Sequence, residues 1–112
     1  MTTESERQTA LQDFGHRVRR HYGRKLSGLH IIHRQDHWED ADEPDLEIVV
    51  VLEGAPDLDR ETEVISDLTY DCLVATRAFV LAHPVRQSQW SSPTDPDICE
   101  MKDCAAPMLE LT

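Results

Sequence analysis

The run Leu46-Glu-Ile-Val-Val-Val-Leu52 narrows the fold more than any other stretch of this chain. Its β-branched residues are stiff at χ1 and suit extended backbone, and the run has the length of a strand. Apart from Glu47 it is apolar without alternation, the pattern of a strand covered on both faces. Such a strand needs neighbours beside it and layers above and below it, all drawn from the same chain. With 112 residues there is enough chain for one domain around a modest core. We expect one domain over residues 1–112, with a core over 4–91 and a tail over 92–112.

The flanking segments supply the layers. Leu11, Phe14, Val18 and Tyr22 recur at spacings of three, four and four, which predicts a helix over 4–22 with one face on the core. Arg17, Arg20 and Arg24 fall off that stripe and read as a solvated face or a basic patch. Gly23 and Gly28 bracket the exit, and Leu26 to Ile32 reads as a short strand. Gln35 to Pro44 is almost wholly polar and reads as loop. After the valine run, Gly54, Pro56 and Asp57 break the strand. Asp59 is the expected N-cap of a helix reaching about residue 77, with Val64, Ile65, Leu68, Cys72 and Leu73 as its stripe. Phe79 to Val85 reads as a third strand stopped at or just after Pro84. The Ser-Ser-Pro-Thr-Asp-Pro stretch after Trp90 reads as an irregular crossing, and Ile98 to Leu111 as a helical turn and an edge segment. This order predicts an α/β (α+β) fold, a small mixed sheet with helices packed on it.

Charge divides the chain in two. Residues 1–34 carry seven Lys/Arg against three Asp/Glu, whereas 35–112 carry four against nineteen, so zones of +4 and −15 make up the net −11. The acidic zone repels phosphate backbones, which argues against nucleic acid as a partner and is suited to a basic protein. No apolar run approaches the roughly 20 residues of a membrane span, and the polar start carries no hydrophobic signal region, so we expect a cytoplasmic protein with no membrane partner. Cys72, Cys99 and Cys104 form no CxxC pair and read as reduced, Cys72 as a small buried hydrophobe.

The chemistry-bearing residues cluster around the polar loop. Asp45 and Glu47 are two apart, so on a strand their carboxylates share a face. Such a pair is either a solvated rim or a chelate for Mg²⁺, which takes oxygen ligands. His30, His33 and His37, with Asp36 close by, are ligand types for Zn²⁺. Their spacing opposes a ready site, because His30 and His33 point to opposite faces of a straight strand and His37 falls in the loop. Trp38 either stacks or anchors a partner or folds back on the core, and Trp90 reads as a core cap.

The segments "YGRKLSGLHIIHRQDHWEDADEPDLEIVVVLEG" and "ISDLTYDCLVATRAFVLAHPVRQSQW", over roughly residues 14–91, resemble a minimal nucleotidyltransferase domain of the DNA polymerase beta superfamily. In that family the first strand ends in Gly-Ser, a loop of about ten residues follows, and an Asp-x-Asp pair opens the second strand; glycine admits a triphosphate to the backbone amides. The resemblance lays the Gly-Ser position on His33-Arg34, as the nucleotide-binding pair, and the metal-binding, catalytic acids on Asp45 and Glu47. It implies Mg²⁺ and ATP as cofactors if the site is active. His33 fills the space that glycine leaves open, Arg34 offers phosphate a charged donor in place of a hydroxyl, and Glu47 is one methylene longer than Asp. The third carboxylate, which the family draws from a later strand, has no counterpart in "FVLAHPV", whose one titratable residue is His83. The expectation is a degenerate member with weak or no transfer activity, acting as an antitoxin-like, partner-binding domain. Its partner would be a protein, possible types including the HEPN-type RNase toxins that active relatives modify with AMP. The alternatives are an active Mg²⁺-dependent transferase of AMP and a small metal-binding protein.

Overall fold

A computed structural model describes residues 4–32, 46–54 and 56–107. In chain order the elements are α1 (Glu4–Tyr22), a 3-10 turn (Gly23–Lys25), β1 (Leu26–Ile32), β2 (Leu46–Leu52), α2 (Leu58–Thr76), β3 (Val80–Arg86), α3 (Gln87–Ser91), α4 (Pro96–Asp103) and β4 (Ala105–Pro107). The four strands form one mixed sheet in the order β3-β2-β1-β4. β1 runs antiparallel to β2 and β4, and β2 runs parallel to β3 through the α2 crossover. The α+β architecture expected from the sequence is the one observed.

The valine run is the hub of this arrangement. From Ile48 to Leu52 its side chains are at most 1% exposed, because successive residues enter two different cores. Ile48, Val50 and Leu52 face α1 and α2, joining Phe14, Val18, Leu29, Ile65, Cys72 and Val80. Val49 and Val51 face the other way, joining Ile32, Val85, Trp90 and Met101 under α3 and α4. Each buried valine or isoleucine contributes about 1.5–3 kcal/mol. The α1 stripe of Leu11, Phe14, Val18 and Tyr22 is buried as its spacing predicts, and Arg17 on its flank pairs with Asp13 at 2.7 Å. Cys72 is fully buried, and its thiol is pushed up to about 11, chiefly by that burial, so it holds no appreciable thiolate at neutral pH.

Two local expectations need correction. Asp57, not Asp59, caps α2: its backbone is extended and its Oδ1 accepts the Arg60 N–H at 3.2 Å, leaving Asp59 in the first turn. The third strand runs from Val80 to Arg86 rather than 79 to 85, carrying Pro84 at the edge of the sheet, where a missing N–H costs no ladder bond. The segment around Trp90 is the short helix α3, which seats the indole on the second core, 8% exposed, as the cap expected of it. The tail resolves into α4, capped by Asp95 with Pro96 at its start, and the edge strand β4.

Candidate active site

β2 and β3 start together. The Leu46 N–H donates to the Phe79 carbonyl at 3.2 Å, and the parallel register sets Glu47 beside Leu81 and Val49 beside His83. Alternation then turns Glu47, Val49 and Val51 to the face away from α1 and α2. His83 lies on that same face, one side-chain step further along β3 than Glu47's neighbour. Its Nε2 meets Glu47 Oε2 at 2.7 Å. Glu47 is the one buried polar or charged residue among those described, at 6% exposure, while about a third of the His83 side chain (31%) reaches solvent.

Burial of a carboxylate demands compensation, and the imidazole supplies part of it. With Glu47 ionised, the carboxylate only accepts hydrogen bonds and the Nε2-protonated tautomer of His83 is the donor. The result is a carboxylate–imidazole dyad, in which the acid orients the ring as a hydrogen-bonding group. Among the described residues no group of three or more His, Cys, Asp and Glu side chains converges as a metal site would require. Of the residues singled out in the sequence, Asp45, His33 and Arg34 lie outside the described residues, as do Asp36, His37 and Trp38. Glu47 is therefore the one assigned site residue whose surroundings are on view. The strand ends flanking that segment, Ile32 and Leu46, stand at the same rim as Glu47, since Ile31 pairs with Ile48.

Sequence reasoning marked His83 as the lone titratable residue of its strand and missed its bond to Glu47. Parity was the available signal. Once β2 and β3 pair in parallel, two residues on the same face of neighbouring strands and offset by one side-chain step lie within reach of long side chains.

His30 belongs to the second core. Its ring packs on Trp90 with centroids 4.8 Å apart and planes tilted by 33°, in the space left by the absence of a side chain on Gly28. Burial, and after it the charge of Lys102, pushes its pKa below the ordinary 6.5. The unfolded chain therefore takes up a proton on His30 before the folded one does. This contribution to stability is complete above about pH 6.5 and is lost as pH falls toward the folded value. In urea titrations from pH 7.5 to 5, His30→Phe should flatten part of the wild-type decline in midpoint. An unchanged decline would contradict the assignment.

Two concave surfaces lie at the opposite end of β2. A cavity of about 630 Å³ is lined by Leu52, Glu53, Arg86 and Gln87, and a neighbouring one of about 520 Å³ by Tyr22, Lys25, Arg60 and Glu61. Both open where the parallel strands end and α2 begins. Within the second, the Tyr22 hydroxyl donates to Glu61 Oε1 at 3.2 Å, and burial first, then Glu61, pushes the phenol's pKa up. Among the described residues no helix is long and apolar enough to cross a membrane. No family model, no curated protein and no solved structure matches this chain.

Proposed function

We propose that this chain is a degenerate nucleotidyltransferase-like domain of the cytoplasm that acts by binding a protein partner, with weak or no transfer of nucleotide. The reading starts from the sequence resemblance, and one observation supports it most: Glu47, which the resemblance assigns to Mg²⁺, is buried and hydrogen-bonded by His83. Mg²⁺ is bound through carboxylate oxygens and keeps most of its waters, so it needs open approach and available lone pairs. Glu47 Oε2 is already occupied by an imidazole. The resemblance also matches the stretch that holds His83 to the later strand from which that superfamily draws a further carboxylate. There His83 contributes a hydrogen-bond donor where metal binding calls for an anion. His33, in the place of glycine, obstructs the approach of phosphate to the backbone as well.

A basic protein fits the −15 zone, and a HEPN-type toxin is the partner that the resemblance suggests. The test is incubation with Mg²⁺ and ATP labelled on its α-phosphate, with and without the product of the neighbouring gene. The expected result is a stoichiometric complex with that product and no label on either chain. Label that appears and is lost on Asp45→Ala would establish an active transferase instead.

A further inference from the structure

α2 carries a second apolar stripe that its packing does not use. Ile65 and Cys72 are buried and Leu68 packs against their cluster, in the core shared with α1 and the sheet. Tyr70, Leu73 and Val74 are 64%, 37% and 66% exposed. Their i, i+3, i+4 spacing sets them side by side on one outward face. Isolated apolar residues on a surface are ordinary, but three adjoining ones on one helical stripe form a patch. Acids border it. Asp59, Glu63 and Asp67 recur every four residues along the same outward side, and Asp71 adjoins, all exposed, with Arg60 the one cation between Asp59 and Val74.

We infer that this face of α2 docks a basic amphipathic helix of another protein, whose apolar side covers Tyr70, Leu73 and Val74 while its Lys or Arg residues meet Asp67, Asp71 and Glu63. This rests on the partner-binding reading and names the surface that serves it. Charge selects the occupant. A second copy pairing through the same face about a two-fold axis would bring Asp67 and Asp71 near their own equivalents, between chains that each carry −11. A helix laid along an apolar stripe with cations at its margins meets the opposite condition, gaining apolar burial and charge complementarity together.

The probe is a synthetic helical peptide of Leu and Lys at amphipathic spacing, compared with an isomer of scrambled order that cannot present one apolar face. With ¹⁵N-labelled protein, amide shifts should concentrate on residues 59–77, and binding should weaken with salt. Tyr70→Ser/Val74→Ser and, separately, Glu63→Lys/Asp67→Lys should each weaken binding about tenfold or more, as expected when a contact of an interface is removed. All four positions are exposed, so both variants should retain the wild-type circular dichroism and melting temperature. Shifts centred on α1 or on the Glu47 rim, equal binding by the scrambled isomer, undiminished binding by either variant, or no binding would overturn the inference. So would a dimer in sedimentation that Tyr70→Ser/Val74→Ser converts to monomer, since the face would then be self-pairing. AMP transfer by the protein would overturn the functional reading while leaving this map of α2 intact, so the two failures are distinguishable.

Discussion

Phe14→Ala should destabilise the protein by about 3–5 kcal/mol, the range for removing a phenyl ring from a closed core. Phe14 is fully buried at the middle of the α1 stripe, in the cluster that joins α1 to Ile48, Val50, Ile65 and Cys72. α1 precedes the first strand and makes no part of the β2-α2-β3 crossover, so this stripe is what holds it to the sheet. Removing the ring leaves a cavity between two helices and a sheet that are fixed by other contacts, and such sites collapse poorly. Because domains of this kind have total stabilities of about 5–15 kcal/mol, the variant should be partly unfolded at moderate temperature. Urea unfolding followed by circular dichroism measures the loss. Gln12→Ala, on the exposed side of the same helix, should change stability by no more than about 0.5 kcal/mol. A loss below about 1.5 kcal/mol for Phe14→Ala would mean that α1 is not seated as described.

The second large effect is expected at Glu47 and His83, and its sign depends on how many partners are removed. His83→Leu takes away a donor and leaves a buried carboxylate short of one hydrogen bond. That should cost about 1–3 kcal/mol at pH 7, toward the lower end because Glu47 keeps further interactions. Glu47→Leu removes the group that must be compensated and should cost less. The double variant Glu47→Leu/His83→Leu replaces the pair by apolar side chains next to Val49 and Leu81, and should recover to within about 1 kcal/mol of wild type. A double-mutant cycle by urea unfolding reports the coupling. Additive losses would mean that the two side chains do not depend on each other, and would remove the structural basis for holding that His83 engages Glu47.

How much of this was legible in the sequence follows from the range of the interactions involved. α1 carries its periodicity, and β2 its continuous β-branched run, within a few residues, and both have the predicted bounds, Glu4–Tyr22 and Leu46–Leu52. The N-terminus of α2 was off by two residues because Asp57 and Asp59 are both competent caps, and only the extended backbone of Asp57 selects between them. α3 has five residues, too few to show a period, and its position is fixed by Trp90 reaching the second core. β4 is three residues long, with backbone partners His30, Ile31 and Ile32 far back in the chain. The central contact of the candidate site joins residues 36 apart and requires the parallel register of β2 and β3. No local pattern encodes that register. The sequence marked Glu47 as half of a strand-edge pair with Asp45, a solvated rim or a chelate, and its burial came only with the packing of the second face.

The account depends on Glu47 being held by His83 and withheld from metal. Paramagnetic broadening by Mn²⁺, a substitute for Mg²⁺ at oxygen sites, tests this directly in ¹H–¹⁵N spectra of the full chain with ATP present. The account predicts that the amides of residues 46–49 and the His83 ring keep their intensity at Mn²⁺ concentrations equal to the protein's. Selective loss of those signals, reversed by excess Mg²⁺ and absent in Glu47→Gln, would contradict it.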